Sequence, residues 1–213
     1  MTRTILLTGF GPFPGAPFNP TGALVEALAD RRTTALRHVR RVAHVFATSY
    51  QAVDRELAGL IGRERPDALI MFGLAPRSPL ISIETQARNT LTRAVPDASG
   101  QLPGASAIVP GGRAALALQV PAPRLVAAVR AAGIPAVLSS DAGSYLCNYL
   151  CWRAGEAVER DGIPRLVAFV HVPNAHISRA SRRGAPRLRS RLPITFDDLV
   201  RAGEAIMRAA IRR

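Results

Sequence analysis

Apolar residues follow two patterns along the chain, which predict strands alternating with helices. Short apolar runs predict buried strands over residues 4–8, 36–47, 68–72, 134–138 and 166–171. Stretches with apolar residues three and four apart predict helices over residues 21–32, 50–65, 123–132, 145–160 and 195–211. Such alternation is typical of an α/β fold. We therefore predict a single domain, 1–213, with a twisted, mostly parallel sheet and helices on both faces.

Turn and capping residues support these boundaries. Ser49 or Thr48 is a suitable N-cap for the second helix, and Thr195 with Asp198 resembles a capping box at the start of the last one. Residues 80–87 are predicted to be extended, and residues 89–112 are rich in turn residues and are predicted to be a loop.

The net charge of +13 raises the question of nucleic-acid binding, but its distribution argues against this. All 28 basic residues are arginines, which indicates a bias across the whole chain. They are scattered except between 179 and 191, where glycine and proline predict a solvated basic loop. We therefore predict no nucleic-acid partner.

Neither the apolar runs nor the cysteines indicate a membrane or secreted protein. No run approaches the length that spans a bilayer, and the run at 5–10 is too short for a secretory signal. The two cysteines, Cys147 and Cys151, are too few and too close for a disulfide framework. We predict a cytoplasmic protein without a membrane partner.

Cys147 is the candidate nucleophile. It lies in the stretch D-A-G-S-Y-L-C-N-Y-L-C-W, where turn residues connect a strand to the helix at 145–160. Cys147 is thus expected in the first turn of that helix, where unpaired backbone N–H groups and a partial positive charge favour a thiolate. The alternative is a small buried hydrophobic residue.

A cysteine nucleophile requires a base and a group that orients it. His171 ends a buried strand, and Glu84 lies in an extended segment with apolar neighbours, so both need polar partners. A structural histidine and an Arg partner for Glu84 remain alternatives. The loop at 10–18, the Cys147 helix and His171 all follow strands, so we expect them to meet at one rim of the sheet.

Cys147, Cys151 and His171 could also suggest a metal site. Only one histidine accompanies the two sulfur atoms, and no fourth ligand has a suitable spacing. We therefore predict no metal, and we interpret Cys151 as a packed residue one turn below the nucleophile.

Four motifs in order along the chain resemble those of the pyroglutamyl-peptidase I (pyrrolidone-carboxylate peptidase) family. They are T-G-F-G-P-F-P-G-A-P-F-N-P at the first loop, P-D-A-S-G-Q-L-P, D-A-G-S-Y-L-C-N-Y-L and F-V-H-V-P. The order Glu84, Cys147, His171 also agrees with that family. The resemblance extends from Thr4 to the last helix.

The resemblance implies a cysteine peptidase that removes N-terminal pyroglutamyl residues from peptides. Cys147 would attack the carbonyl carbon, His171 would transfer the proton and Glu84 would orient His171. The resemblance implies no metal or organic cofactor, and it implies assembly as a homotetramer. Phe10 and Phe13 correspond to its pocket aromatics, and Asn19 to an Asn near that pocket; a lid over the core is the alternative role for the two Phe residues.

Some residues depart from the family pattern. The family often has G-Q-A-G-G-R where this chain has G-L-A-P-R-S at 73–78, so Leu74 replaces a Gln associated with the substrate pocket. Arg93 lies about one position from a family Arg, and Arg88 is a more distant match. Two alternative functions therefore remain: a related cysteine hydrolase with a different small acyl or amide substrate, and a binding protein without chemistry.

Overall fold

The structure is a computed structural model and describes residues 3–175 and 193–211. The predicted basic loop at 179–191 and His176 lie outside the described residues. Within the described ranges, no helix is both long enough and apolar enough to cross a lipid bilayer.

The helices and strands alternate along most of the chain, as predicted. The strands are β1 (Arg3–Phe10), β2 (Val39–Phe46), β3 (Ala68–Leu74), β4 (Ile81–Glu84), β5 (Gln86–Arg88), β6 (Ala115–Ala117), β7 (Ala136–Ser139) and β8 (Leu166–Val172). The helices are α1 (Pro20–Asp30), α2 (Tyr50–Glu64), α3 (Ala122–Ala131), α4 (Leu146–Asp161) and α5 (Phe196–Ile211).

Six strands form one sheet in the order β2-β1-β3-β8-β4-β7. β2, β1, β3 and β8 are parallel to one another, whereas β4 pairs with β8 in the antiparallel direction and β7 is parallel to β4. The mostly parallel α/β sheet is therefore confirmed. β5 and β6 form a separate antiparallel pair.

Helices cover both faces of the sheet, as predicted, and strand alternation assigns each side chain to one face. α1, α3 and α5 pack against one face, and α2 and α4 against the other. In β8, Val170 lies in the first core, whereas Val167 and Phe169 lie in the second. Because side chains alternate along a strand, His171 also faces the side that carries α4.

The capping predictions are confirmed, since backbone N–H groups at the helix starts reach the predicted side chains. The N–H of Ala52 donates to the Oγ of Ser49 at 3.2 Å. Thr195 and Asp198 each donate a backbone N–H to the other's side chain, at 3.0 and 3.2 Å. These two caps define where α2 and α5 begin.

The structure differs from the predicted strands in two places. The strand predicted at 36–47 starts too early: Leu36 ends a 3-10 turn (Thr34–Leu36), and β2 begins only at Val39. The predicted buried strand at 134–138 is the edge strand β7, where the Leu138 side chain is 50% exposed. An edge strand has a neighbour on one side only, so an apolar pattern there does not guarantee full burial.

The expectation that the site lies at one rim of strand carboxyl ends is wrong for β7. Ser82 of β4 pairs with His171, and Ser82 also pairs with Val137 of β7. β7 therefore runs antiparallel to β8, and Val137 near its start is level with His171. The carboxyl end of β7 points away from the carboxyl end of β8. The connection at 140–145 then leads into α4, which packs over the sheet face beside His171.

Candidate active site

The pairing of β4 with β8 brings Glu84 next to His171. Ser82 is opposite His171 and Glu84 is opposite Phe169, so Glu84 and His171 are diagonal neighbours on the same face of the sheet. The Nδ1 of His171 lies 2.8 Å from the Oε1 of Glu84. The structure therefore places the predicted orienting carboxylate in hydrogen-bond contact with the predicted base.

Glu84 is fully buried and His171 is mostly buried. The Glu84 side chain is 1% exposed and that of His171 is 12% exposed. Because the Nδ1 of His171 is held by Glu84, its Nε2 is the ring nitrogen available to another partner.

Cys147 also lies close to His171, on the same face of the sheet. Burial lowers the pKa of His171, but the charge of Cys147 and hydrogen bonds to the side chains of Cys147 and Glu84 outweigh it and raise the pKa to about 10. The His171 ring is therefore an imidazolium at neutral pH, with a carboxylate and the cysteine sulfur close to it.

Cys147 lies in the first turn of α4, as predicted. The first backbone hydrogen bond of this helix runs from the N–H of Tyr149 to the C=O of Tyr145 at 3.0 Å, and the N-cap Tyr145 provides no side-chain cap. The N–H groups ahead of Tyr149 are thus not used within the helix, and its positive end lies at Cys147. Cys147 is half-buried, in contrast to the fully buried Cys151.

Cys151 is one turn further along the same helix and is fully buried. Burial raises the pKa of its thiol well above the ordinary value, and the nearby charges of Cys147 and Glu84 raise it further. Cys151 is therefore a neutral, inert thiol, in agreement with its interpretation as a packed residue.

The two predicted pocket phenylalanines lie at different depths. Phe10 is 3% exposed, and its ring centroid lies 6.1 Å from that of Phe46 in the core. Phe13 is half-buried and lies 6.3 Å, centroid to centroid, from Tyr145, the residue at the start of α4. Phe13 therefore borders the Cys147 end of the helix, whereas Phe10 supports the loop from below.

Asn19 shapes the first loop. Its Oδ1 accepts the N–H of Thr21 at 3.1 Å and caps α1, and its Nδ2 donates to the C=O of Gly11 at 3.1 Å. Both ends of the Asn19 amide are thus engaged within the protein, which makes it a residue that holds the loop carrying Phe13.

The Leu74 side chain does not lie on the face of the sheet expected for a substrate-pocket residue. Ile70 and Phe72 of β3 lie in the core beside α1, whereas Leu69 and Met71 lie in the core beside α4. By the same alternation the Leu74 side chain points away from the face that carries Cys147. The replacement of the family Gln by Leu thus falls on the opposite side of the sheet from the sulfur atom.

The two candidate arginines are both exposed. The guanidinium of Arg88 lies 3.0 Å from a carboxylate oxygen of Asp141, so Arg88 has a partner of its own. Arg93 belongs to the segment at 92–94, whose Thr92 N–H donates to the C=O of Ser144 at 2.6 Å, three residues before Cys147.

The sequence reasoning missed Asn148, which follows Cys147 directly. Asn148 is fully buried; its Oδ1 accepts the N–H of Arg88 at 2.8 Å, and its Nδ2 donates to the C=O groups of Arg88 and Thr90 at 2.7 and 3.0 Å. It thereby ties the start of α4 to the chain that continues from Glu84. A polar residue in an apolar helical stretch was the signal for this role.

Among the described residues, no group of three or more His, Cys, Asp and Glu side chains is arranged to hold a metal ion. What the arrangement can do chemically is nucleophilic: a sulfur atom at a helix N-terminus, an imidazolium beside it and a buried carboxylate behind the imidazolium.

Solved structures of other proteins match this fold over nearly the whole chain. One is a point mutant of the pyrrolidone carboxyl peptidase of Pyrococcus furiosus, with a TM-score of 0.83 and 25% identity, covering 98% of each chain. Another is the pyrrolidone carboxyl peptidase of Thermococcus litoralis, with the same TM-score and identity, covering 98% of this chain and 93% of that one.

Sequence relatives agree with the structural ones. The pyrrolidone-carboxylate peptidase of Thermococcus kodakarensis is 31% identical over 93% of this chain and 98% of its own length. That of Clavibacter michiganensis is 35% identical over 98% of this chain and 92% of its own. The family profile described as pyroglutamyl peptidase matches residues 3–211. The chain therefore belongs to the pyroglutamyl peptidase family of cysteine peptidases.

Proposed function

We propose that this protein removes an N-terminal pyroglutamyl residue from peptides with a catalytic triad of Cys147, His171 and Glu84. The observation that supports this most directly is the 2.8 Å contact between the Nδ1 of His171 and Glu84, with Cys147 beside Gly73, the residue paired with His171 in the sheet. This is the order of groups that a cysteine nucleophile requires.

In the acylation step, the thiolate of Cys147 attacks the carbonyl carbon of the pyroglutamyl residue. Negative charge develops on the carbonyl oxygen, and backbone N–H groups at the start of α4 are available to stabilise it. The tetrahedral intermediate breaks its C–N bond as His171 gives a proton to the leaving amine. The shortened peptide leaves, and a thioester links the pyroglutamyl group to Cys147.

In the deacylation step, the now neutral His171 takes a proton from a water molecule, which attacks the thioester carbonyl. The C–S bond breaks, pyroglutamic acid is released and the imidazolium with its thiolate is restored. Glu84 holds the ring orientation through both steps and stabilises its positive charge.

The substrate group suits the surroundings of Cys147. A pyroglutamyl ring is a flat, neutral lactam, which favours aromatic walls over a charged partner. Phe13 and Tyr145 provide such walls beside the start of α4, and Phe10 supports them. We propose that the lactam ring binds between this aromatic group and the sulfur atom.

A pyroglutamyl-linked fluorogenic amide tests the proposal directly. The parent protein should release the fluorophore, and Cys147→Ser should lower kcat by at least about 10³-fold, because a hydroxyl is a far weaker nucleophile beside His171. Cys151→Ala is the matched control, since Cys151 is on the same helix but inert, and it should keep most of the activity.

Two outcomes would contradict the proposal. Equal turnover by the parent and Cys147→Ser would exclude Cys147 as the nucleophile. A preference for other lactam or N-acyl amides over the pyroglutamyl substrate would instead favour the related hydrolase of altered specificity.

We further propose that the protein acts in the cytoplasm as a homotetramer. The family resemblance supports the tetramer. A catalytic thiol needs a reducing compartment to stay reduced, which supports the cytoplasm.

A further inference from the structure

Gly73 lies next to the two reacting side chains and has no role in the mechanism given above. It is in β3, directly opposite His171 of β8 in the parallel register. The backbone of Gly73 is not in the left-handed region, so its conformation would accept any residue. The reason for a glycine must therefore be space.

The space beside Gly73 is occupied by Cys147 and Phe169. A Cβ atom on Gly73 would lie 2.7 Å from the Sγ of Cys147, and 2.6 and 2.8 Å from the Cζ and Cε1 of Phe169. Ordinary contacts between such atoms are about 3.5–4.0 Å. A single methyl group would therefore displace the sulfur or the ring by roughly 1 Å.

Neither neighbour can move without consequence for His171. The Phe169 ring is fully buried and contacts the His171 ring edge-on, with 5.0 Å between the centroids. Cys147 is held by α4, whose start Asn148 ties to residues 88–90. Cys147 and Phe169, which border the space beside Gly73, are thus both held in place.

We propose that Gly73 is a positioning residue for the catalytic pair: its missing side chain is the space that seats the sulfur of Cys147 beside the ring of His171. The proposal rests on the proposed function for the identity of that pair. It predicts that a side chain at position 73 moves the sulfur of Cys147 away from the ring of His171. Substrate binding at Phe13 and Tyr145 should persist.

The test is Gly73→Ala. With a pyroglutamyl amide, kcat should fall about 100-fold, the loss expected for a 1 Å displacement of reacting groups. KM should stay within about threefold, because the aromatic walls are unchanged. A fall in kcat of less than threefold would overturn the proposal.

Gly203→Ala is the matched control for crowding. A Cβ on Gly203 would lie 2.5 Å from the Cδ1 of Leu28, on the face of the sheet that carries α1 and α5. It creates a collision of the same severity far from Cys147. Activity per folded molecule should be retained in this variant, and a loss equal to that of Gly73→Ala would show that crowding alone explains the effect.

A double variant tests the proposal if Gly73→Ala alone fails to fold. Phe169→Leu removes the ring atoms that the new methyl group would meet, and leaves the contact with Cys147. Gly73→Ala added to Phe169→Leu should still lower kcat about 100-fold relative to Phe169→Leu alone. Equal activity of the two would overturn the proposal.

Alkylation by iodoacetamide separates this proposal from the proposed function, because it needs no substrate. In the parent, Cys147 should react at pH 6–7, and Cys147→Ser provides the blank. In Gly73→Ala the reaction at that pH should slow at least tenfold, because the added methyl group displaces the sulfur from the His171 ring. An unchanged rate profile would overturn the positioning role, whereas a parent that alkylates normally but does not cleave pyroglutamyl amides would overturn only the proposed function.

Discussion

The buried carboxylate of Glu84 requires a positive charge beside it. Glu84 is 1% exposed, and its Oε2 has no hydrogen-bond partner among the described residues. Burying an ionised carboxylate is costly unless a positive charge lies beside it. The imidazolium of His171 provides that charge, so the same pair that serves the reaction also makes the burial of Glu84 tolerable.

The raised pKa of His171 leads to a prediction at this scale. Because the charge of Cys147 and hydrogen bonds to Cys147 and Glu84 raise it to about 10, Cys147→Ser and Glu84→Gln should each lower it. NMR titration of the ring protons measures the change. Cys151→Ala is the control and should leave the pKa of His171 in place; an unchanged value in Cys147→Ser would refute the contact.

The same pKa sets a direction for pH dependence. Protonated His171 is favoured by the folded state, since its folded pKa of about 10 exceeds the ordinary 6.5. Its stabilising contribution is complete below pH 6.5 and is lost as pH rises through about 10. Turnover should also fall through that range, because a neutral imidazole has no proton for the leaving amine.

At the scale of elements, α4 is held where its first turn begins. Asn148 joins it to residues 88–90 by three hydrogen bonds, and Asn89 forms a comparable bridge from its own amide to the backbone of Val109, with bonds of 2.8 Å in each direction. The first bridge adjoins Cys147, whereas the second holds the loop that follows.

This difference predicts separate effects for two Asn→Ala changes. Asn148→Ala leaves buried backbone groups without partners and should lower the free energy of unfolding by about 2–4 kcal/mol. It should also lower kcat, because Cys147 loses its anchor. Asn89→Ala should destabilise less and retain kcat within about threefold. Denaturant unfolding and turnover measure both; full activity of folded Asn148→Ala would contradict the anchoring role.

The sequence was most informative where local patterns decide the outcome. Period and capping residues predicted the five α-helices found in residues 3–175 and 193–211, and turn residues placed Cys147 in the first turn of α4. Pairing partners were not predictable in this way. The antiparallel direction of β4 depends on contacts between distant segments, and the side-chain face of Leu74 depends on the phase of β3. Likewise, the crowding around Gly73 arises only when α4 packs against the sheet.

At the scale of the whole molecule, the exposed apolar side chains are relevant to assembly. Leu138 on the edge strand β7 is 50% exposed and Phe18 in the first loop is 90% exposed. The proposed tetramer would give such side chains a place to be buried. Light scattering coupled to size-exclusion chromatography should give four times the 22.7 kDa chain mass. A species of one chain mass at micromolar concentration would contradict the tetramer.

The diagonal pairing of Glu84 with His171 links the reaction to correct assembly of the sheet. A slip of one residue between β4 and β8 would turn Glu84 towards the opposite core and leave His171 without its carboxylate. Misaligned chains could retain much of their secondary structure and still be inactive. The specific activity recovered after refolding would therefore measure the fraction of molecules in which β4 and β8 are paired in the native register.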